Sequence, residues 1–201
     1  MRRRTRRSER ARRDEAVTSQ ESAAMTPIHR CELPRGALLR QYEHEGAYAD
    51  CYATQVAWRV SHAEFVEAFY TTALFKAERL VLAWLVAKPS TDLEAGQLAS
   101  GALDSFAAWH VEAREGDQVL LSDFRGRTRS WLMVAPAVKD GLEQTRLYFG
   151  SAVTPVASAK SREPELGAAF RLLLGVHKVY SRALLFAAGF RLTRQHNLRR
   201  P

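Results

Sequence analysis

Between residues 48 and 190 the spacing of apolar side chains changes period three times, and each change predicts a different kind of element. Tyr48–Val56 carries Tyr, Cys, Thr and Val without helical spacing and predicts a first strand. Ser61-His62-Ala63-Glu64 is then a capping box, in which hydroxyl and carboxylate satisfy the free N–H groups of a helix start, and Phe65, Ala68, Phe69 and Thr72 follow on one helical face. A second helical stretch over 75–86 stops before Lys88-Pro89, because proline cannot continue a helix. Ser90 or Thr91 caps a short helix running through Leu98 and closed by Gly101.

From 108 to 153 the period shortens to two, punctuated by Gly116-Asp117, Arg125-Gly126 and Asp140-Gly141, which predicts a four-strand antiparallel meander. Over 165–190 helical spacing returns, with Leu166, Phe170, Leu173, His177, Tyr180 and Leu184 on one stripe. The simplest packing of these elements is an α+β domain in which an antiparallel sheet curves around the long C-terminal helix.

Two-residue hairpin loops also predict cross-strand register. Taken so, Gly116-Asp117 sets His110 opposite Asp123, and Arg125-Gly126 sets Asp123 opposite Thr128 and Leu121 opposite Ser130. One face then carries His110, Asp123, Thr128 and Ser130 with Val119, Leu121, Leu132 and Val134. The other carries Trp109, Val111, Leu120, Phe124, Trp131 and Met133 among Arg127 and Arg129. Both faces are mixed, so the pattern does not decide which meets the helices, and a slip of one residue exchanges them.

Charge changes this picture only at the N-terminus. The formal net charge is +8, but residues 1–24 hold eight Arg against Glu9, Asp14, Glu15 and Glu21, so half the excess lies in a leader almost without large apolar side chains. Such a leader cannot offset the entropy of ordering and is expected to be disordered, with Met25 the simpler start of the protein. Behind it the reading gives an N-terminal segment (25–46), a folded domain (47–190) and a basic C-terminal tail (191–201). Outside the leader the residual charge is too diffuse for a nucleic-acid footprint. Cys31 and Cys51 can build neither a disulfide framework nor a metal site of the usual spacing, and a reducing, cytoplasmic compartment is the simplest expectation. The most apolar run, 183–190, is far short of the ~20 residues of a membrane span.

Four segments carry a family resemblance: Tyr48-Ala49-Asp50, Thr128-Arg129-Ser130-Trp131-Leu132, Thr145-Arg146-Leu147-Tyr148-Phe149, and His177-Lys178-Val179-Tyr180-Ser181-Arg182-Ala183-Leu184-Leu185. In these the chain resembles the bacterial domain of unknown function numbered 2867, similar in layout to the START and birch-pollen-allergen helix-grip superfamily. The resemblance implies a helix-grip fold and a pocket for an apolar or amphipathic molecule, without catalytic residues to carry over.

The candidate chemistry is sparse. His110 with Asp123 is a possible acid–base pair, since a carboxylate orients an imidazole as a general base requires. No nucleophile elbow, nucleotide-binding glycine loop or His-Glu-x-x-His motif accompanies it, and no metal or cofactor is expected. His177 and Tyr180 on the helical stripe, with Arg129, Arg146 and Ser130 from the sheet, are the candidates for the polar end of a ligand. Three readings follow: a non-catalytic binder of a small apolar or amphipathic molecule between sheet and C-terminal helix, an enzyme using His110 and Asp123, or a partner-binding protein with a filled core. The sequence sets no oligomeric state.

The leader reading has a direct check: a chain beginning at Met25 is expected to keep its melting temperature. A loss of more than a few degrees would mean that 1–24 packs on the domain.

Overall fold

The structure is a computed structural model that describes residues 25–77, 90–154 and 166–199, with the backbone alone over 166–176. The leader and most of the helical stretch expected over 75–86 lie outside the described residues. So do the side chains of Leu166, Phe170 and Leu173.

The elements in chain order are β1 (His29–Arg30), α1 (Arg40–His44), β2 (Tyr48–Val56), α2 (His62–Tyr70), α3 (Asp92–Ser100), β3 (Ser105–Phe106), β4 (Trp109–Glu115), β5 (Gln118–Asp123), β6 (Thr128–Lys139), β7 (Leu142–Val153) and α4 (Leu166–Arg199). The strands form one seven-stranded antiparallel sheet in the order β1-β2-β7-β6-β5-β4-β3. The meander is the one expected, and β2 pairs beside its last strand. The short β1 and β3 add one strand to each edge. The long helix runs to Arg199, so the basic residues expected as a separate tail form its last turns.

Local chemistry accounts for the boundaries. Helices α2 and α3 begin with complete capping boxes, Ser61 with Glu64 and Thr91 with Glu94, and α3 ends on Gly101 in the left-handed region at φ 79°. The β6–β7 hairpin turns through Asp140 and Gly141, at φ 53° and 74°, the pair of positive values a two-residue turn of this hand requires. In β2 the residues from Asp50 to Ala53 are all buried, which is why that strand shows no clean alternation.

The sheet is covered on both faces. On one, Tyr52, Val56, Val119, Leu121, Leu132, Leu147 and Phe149 pack against Phe65, Phe69 and Tyr70 of α2, Leu98 of α3, and Leu184, Leu185 and Leu192 of α4. On the other, Cys51, Ala53, Leu120, Trp131, Tyr148 and Ala152 lie under an N-terminal strap that supplies Leu33, Ala37, Leu39 and Tyr42. Gln118 joins strap to sheet. Its carbonyl oxygen accepts from the Leu38 backbone N–H (2.9 Å) and from the Trp131 indole N–H (2.8 Å), while its amide donates to the Gly36 carbonyl (2.9 Å) and the Glu115 carboxylate (2.7 Å). Trp131 is thereby fully buried with its one polar atom satisfied.

The expected register fails in one place. Leu121 does face Ser130, but a bulge between Val111 and Ala113 shifts the first half of β4 by one residue. His110 therefore faces Ser122, and Asp123 faces Trp109. The same bulge moves Trp109 and Val111 from the strap face to the helix face, where they join the main core.

Two expectations about stability follow. A Cβ at Gly150 would stand 2.8 Å from Leu39 Cδ2, 3.0 Å from the Asp50 carbonyl and 3.0 Å from Trp131 Cε3, whereas at Gly36 it meets nothing within 4 Å. Gly150→Ala should cost about 1–3 kcal/mol and Trp131→Ala about 3–5 kcal/mol, with Gly36→Ala the near-neutral comparison. Shifts in denaturant midpoint at constant slope measure all three.

The second concerns acid. His62, at the start of α2 and 8% exposed, has its pKa pushed down to about 4 from 6.5, chiefly by burial, with the nearby Leu132 backbone acting in the opposite direction. Below pH 6.5 the unfolded chain takes up a proton that the folded chain refuses until about pH 4. Stability from this residue is thus complete above pH 6.5 and falls through that window, by about 3 kcal/mol in all. Urea unfolding between pH 7 and 4 should show a slope that flattens in His62→Gln; an equal slope in both proteins would assign the acid sensitivity elsewhere.

Candidate functional site

A row of polar side chains crosses the helix-side face of the sheet among its apolar residues. Asp50 on β2 lies directly across from Ser151 on β7, and Ser151 lies across from Ser130 on β6. All three are buried. Ser130 Oγ is 3.2 Å from the hydroxyl of Tyr70, which belongs to α2. Ser151 Oγ donates to Asp50 Oδ1 at 2.6 Å and stands 2.6 Å from Nε2 of His177 on α4.

The proton count fixes the histidine. A serine hydroxyl has one proton, and here it goes to the carboxylate, so the imidazole must donate its Nε2–H to Ser151 Oγ. The neutral ring then presents Nδ1 as an acceptor. When protonated, the ring also pairs with Asp50, whose Oδ1 is 3.9 Å from Nε2. The His177 side chain keeps 26% of its surface exposed, whereas that of Asp50 keeps none, so the imidazole is the member of the group that another molecule can reach.

Two tyrosines of β2 flank the carboxylate on the same face. The Tyr48 hydroxyl donates to Asp50 Oδ2 at 3.4 Å. Burial, and secondarily the negative charge of Asp50, raises the pKa of Tyr48 and pushes that of Tyr52 up to about 12, so both stay neutral donors. Lys178 Nζ lies 6.0 Å from the centre of the Tyr48 ring, a further contact of α4 with this corner. Beyond Ser130 the row meets an aromatic cluster in which Tyr70 packs against Phe69, Phe75 and Phe106, and Phe69 against Phe149.

The residues singled out in the sequence divide between the two faces. His177 and Ser130 belong to the polar row, and Tyr180 is half-buried against the same core. Arg129 is on the strap face, where Nε donates to Glu112 (2.7 Å) and to the Tyr42 hydroxyl (2.8 Å) and the guanidinium stacks 4.5 Å from the centre of the Tyr42 ring. Tyr42 also donates to Glu112. Arg129 is therefore a clasp for the strap. Arg146 pairs with Ala135 and Gln55 toward the far end of β7 and is exposed. His110 is exposed, and Asp123 turns its carboxylate to the backbone N–H groups of Arg127 (2.7 Å) and Thr128 (3.3 Å), tying the β5–β6 turn. The bulge in β4 has separated the expected acid–base pair.

Asp50 and Ser151 escaped sequence reasoning. A carboxylate in the middle of an apolar strand was a usable signal for Asp50, since a buried acid requires partners. Ser151 carried no local signal, being joined to Asp50 only by strands 101 residues apart. Among the described residues no cluster of three or more His, Cys, Asp or Glu is placed to hold a metal ion, and no helix is long and apolar enough to cross a membrane.

No protein-family model matches the chain, and no curated protein matches it. The family resemblance thus rests on its four quoted segments. Among solved structures the chain is similar to CalU16 from Micromonospora echinospora, at 12% identity and a TM-score of 0.27, covering 83% of this chain and 94% of that one. It is also similar to an uncharacterised protein from Rhizobium leguminosarum, at 9% identity and a TM-score of 0.22, covering 69% of this chain and 95% of that one. Both likenesses are weak.

Proposed function

We propose that the chain binds a small amphipathic molecule between the helix side of the sheet and α4, in the manner of a helix-grip fold, with His177 holding the polar end. The observation that carries this reading is the orientation of His177 by Ser151 and Asp50. Small-molecule sites are mostly apolar surfaces with a few convergent polar groups, and this row sets three linked polar groups among the apolar residues of that face. A hydroxyl or protonated carboxyl on the ligand would donate to Nδ1.

The same relay favours a second reading, an enzyme in which His177 rather than His110 takes up a proton at Nδ1 and Asp50 stabilises the imidazolium through Ser151. The partner-binding reading draws on exposed Phe186, Phe190 and Val179 along the outer side of α4.

Native mass spectrometry of the full chain tests the proposal. The unmodified protein should carry a non-covalent adduct that denaturant releases, and His177→Ala should weaken its retention about tenfold, the loss of roughly one hydrogen bond. Asp50→Asn should weaken it as well, because Ser151 is then free to donate and the ring loses its fixed tautomer. A released compound that changes mass on return to fresh protein would favour the enzyme. An unmodified protein that is empty from every source, and whose melting temperature no amphipathic additive raises, would overturn both ligand readings and leave the partner-binding one.

A further inference from the structure

On the strap face of the β1–β2 edge, across the sheet from the polar row, the protein's two cysteines meet. Cys31 follows β1 and Cys51 lies within β2, and the β1–β2 register carried one step beyond Arg30↔Tyr52 sets them opposite each other. The Cys31 N–H donates to the Cys51 carbonyl at 3.0 Å, so the two occupy a hydrogen-bonded antiparallel pair. In such a pair the Cα atoms stand about 5.5 Å apart, inside the range a disulfide spans. The sulfurs are 3.3 Å apart and unbonded. Cys51 is buried and Cys31 half-buried. A groove of about 320 Å³, bordered by Arg30, Glu32, Leu33 and Glu43, is lined by both cysteines.

We infer that Cys31 and Cys51 form a redox-active dithiol, oxidised to an intramolecular disulfide by small hydroperoxides that enter this groove. The division of labour follows from the surroundings. A hydrogen bond from the Cys51 thiol, aided by the positive charge of Arg146, lowers the pKa of Cys31 against the opposing effect of burial. The same contact and burial raise that of Cys51, which keeps its proton. Cys31 is thus the attacking sulfur. Its thiolate attacks one peroxide oxygen, the O–O bond breaks, and the other oxygen leaves as an alcohol or water after taking a proton, so that Cys31 becomes a sulfenic acid. The Cys51 sulfur then attacks the Cys31 sulfur. The S–S bond forms, the S–O bond breaks, and the hydroxide leaves as water with the Cys51 proton. Two thiols have lost two electrons and two protons, and the peroxide has been reduced by the same two electrons.

The full chain holds only these two cysteines, which makes the readout unambiguous. The reduced protein, treated with a small excess of hydrogen peroxide and analysed as intact monomer, should lose about 2 Da, show no thiol to iodoacetamide, and regain both on reduction with dithiothreitol. In Cys51→Ser the product should stop at Cys31 sulfenic acid, about 16 Da heavier and trapped by dimedone. In Cys31→Ser the remaining thiol should react at least tenfold more slowly than Cys31 does. Oxygen addition to Cys31 of the unmodified protein without the loss of 2 Da would overturn the inference. So would two thiols that persist at peroxide levels that oxidise free cysteine, or a disulfide found only between chains. The outcome is independent of whether the opposite face binds a ligand.

Discussion

A sheet whose central strands are apolar on both sides cannot be stabilised by helices on one side alone, and this constraint governs the arrangement of the protein. The N-terminal strap answers it. It is tied down by Gln118, a buried amide that makes four hydrogen bonds and satisfies the Trp131 indole in the same stroke. A buried amide lacking any of these partners would cost about 1–3 kcal/mol, so the network forms as a whole. Gly150 belongs to the same arrangement, because only a residue without Cβ lets Leu39 and Trp131 approach the backbone of β7 together.

The helix face lacks at its centre the Arg residues expected there. Arg129 is engaged by Glu112 and Tyr42 on the other side of the sheet. The helix face instead holds one buried carboxylate, whose charge is met by two hydroxyl donors and, when protonated, an imidazole. That set of partners orients His177 and joins α4 to β7 through a side-chain hydrogen bond, in addition to the apolar contacts of Leu184, Leu185 and Leu192.

Much of this was legible in the sequence where the signal was local. The capping box at Ser61, the cap at Ser90 or Thr91, the glycine turns and the period of β5 to β7 depend on residues within a few positions of one another, and the elements lie where those signals put them. What the sequence concealed was non-local or silent. The bulge after Val111 leaves no mark in composition, yet it moves Trp109 and Val111 across the sheet and parts His110 from Asp123. Strands of two residues, such as β1, are too short to show a period, so the meeting of Cys31 with Cys51 was invisible although both cysteines were plain. His177 could be picked from the stripe of the last helix, but its partners could not, since Asp50 and Ser151 become neighbours only through the pairing of β2 with β7.

That pairing sets the polar row apart from the rest of the sheet in the order of assembly. Strands β4 to β7 join through hairpins whose closure costs little entropy, whereas bringing Asp50 to Ser151 closes a loop of 101 residues. The group at His177 needs β2, β7 and α4 all in place. Intermediates in which only the meander has formed therefore hold Ser130 opposite Ser151 but have neither Asp50 nor His177 beside them.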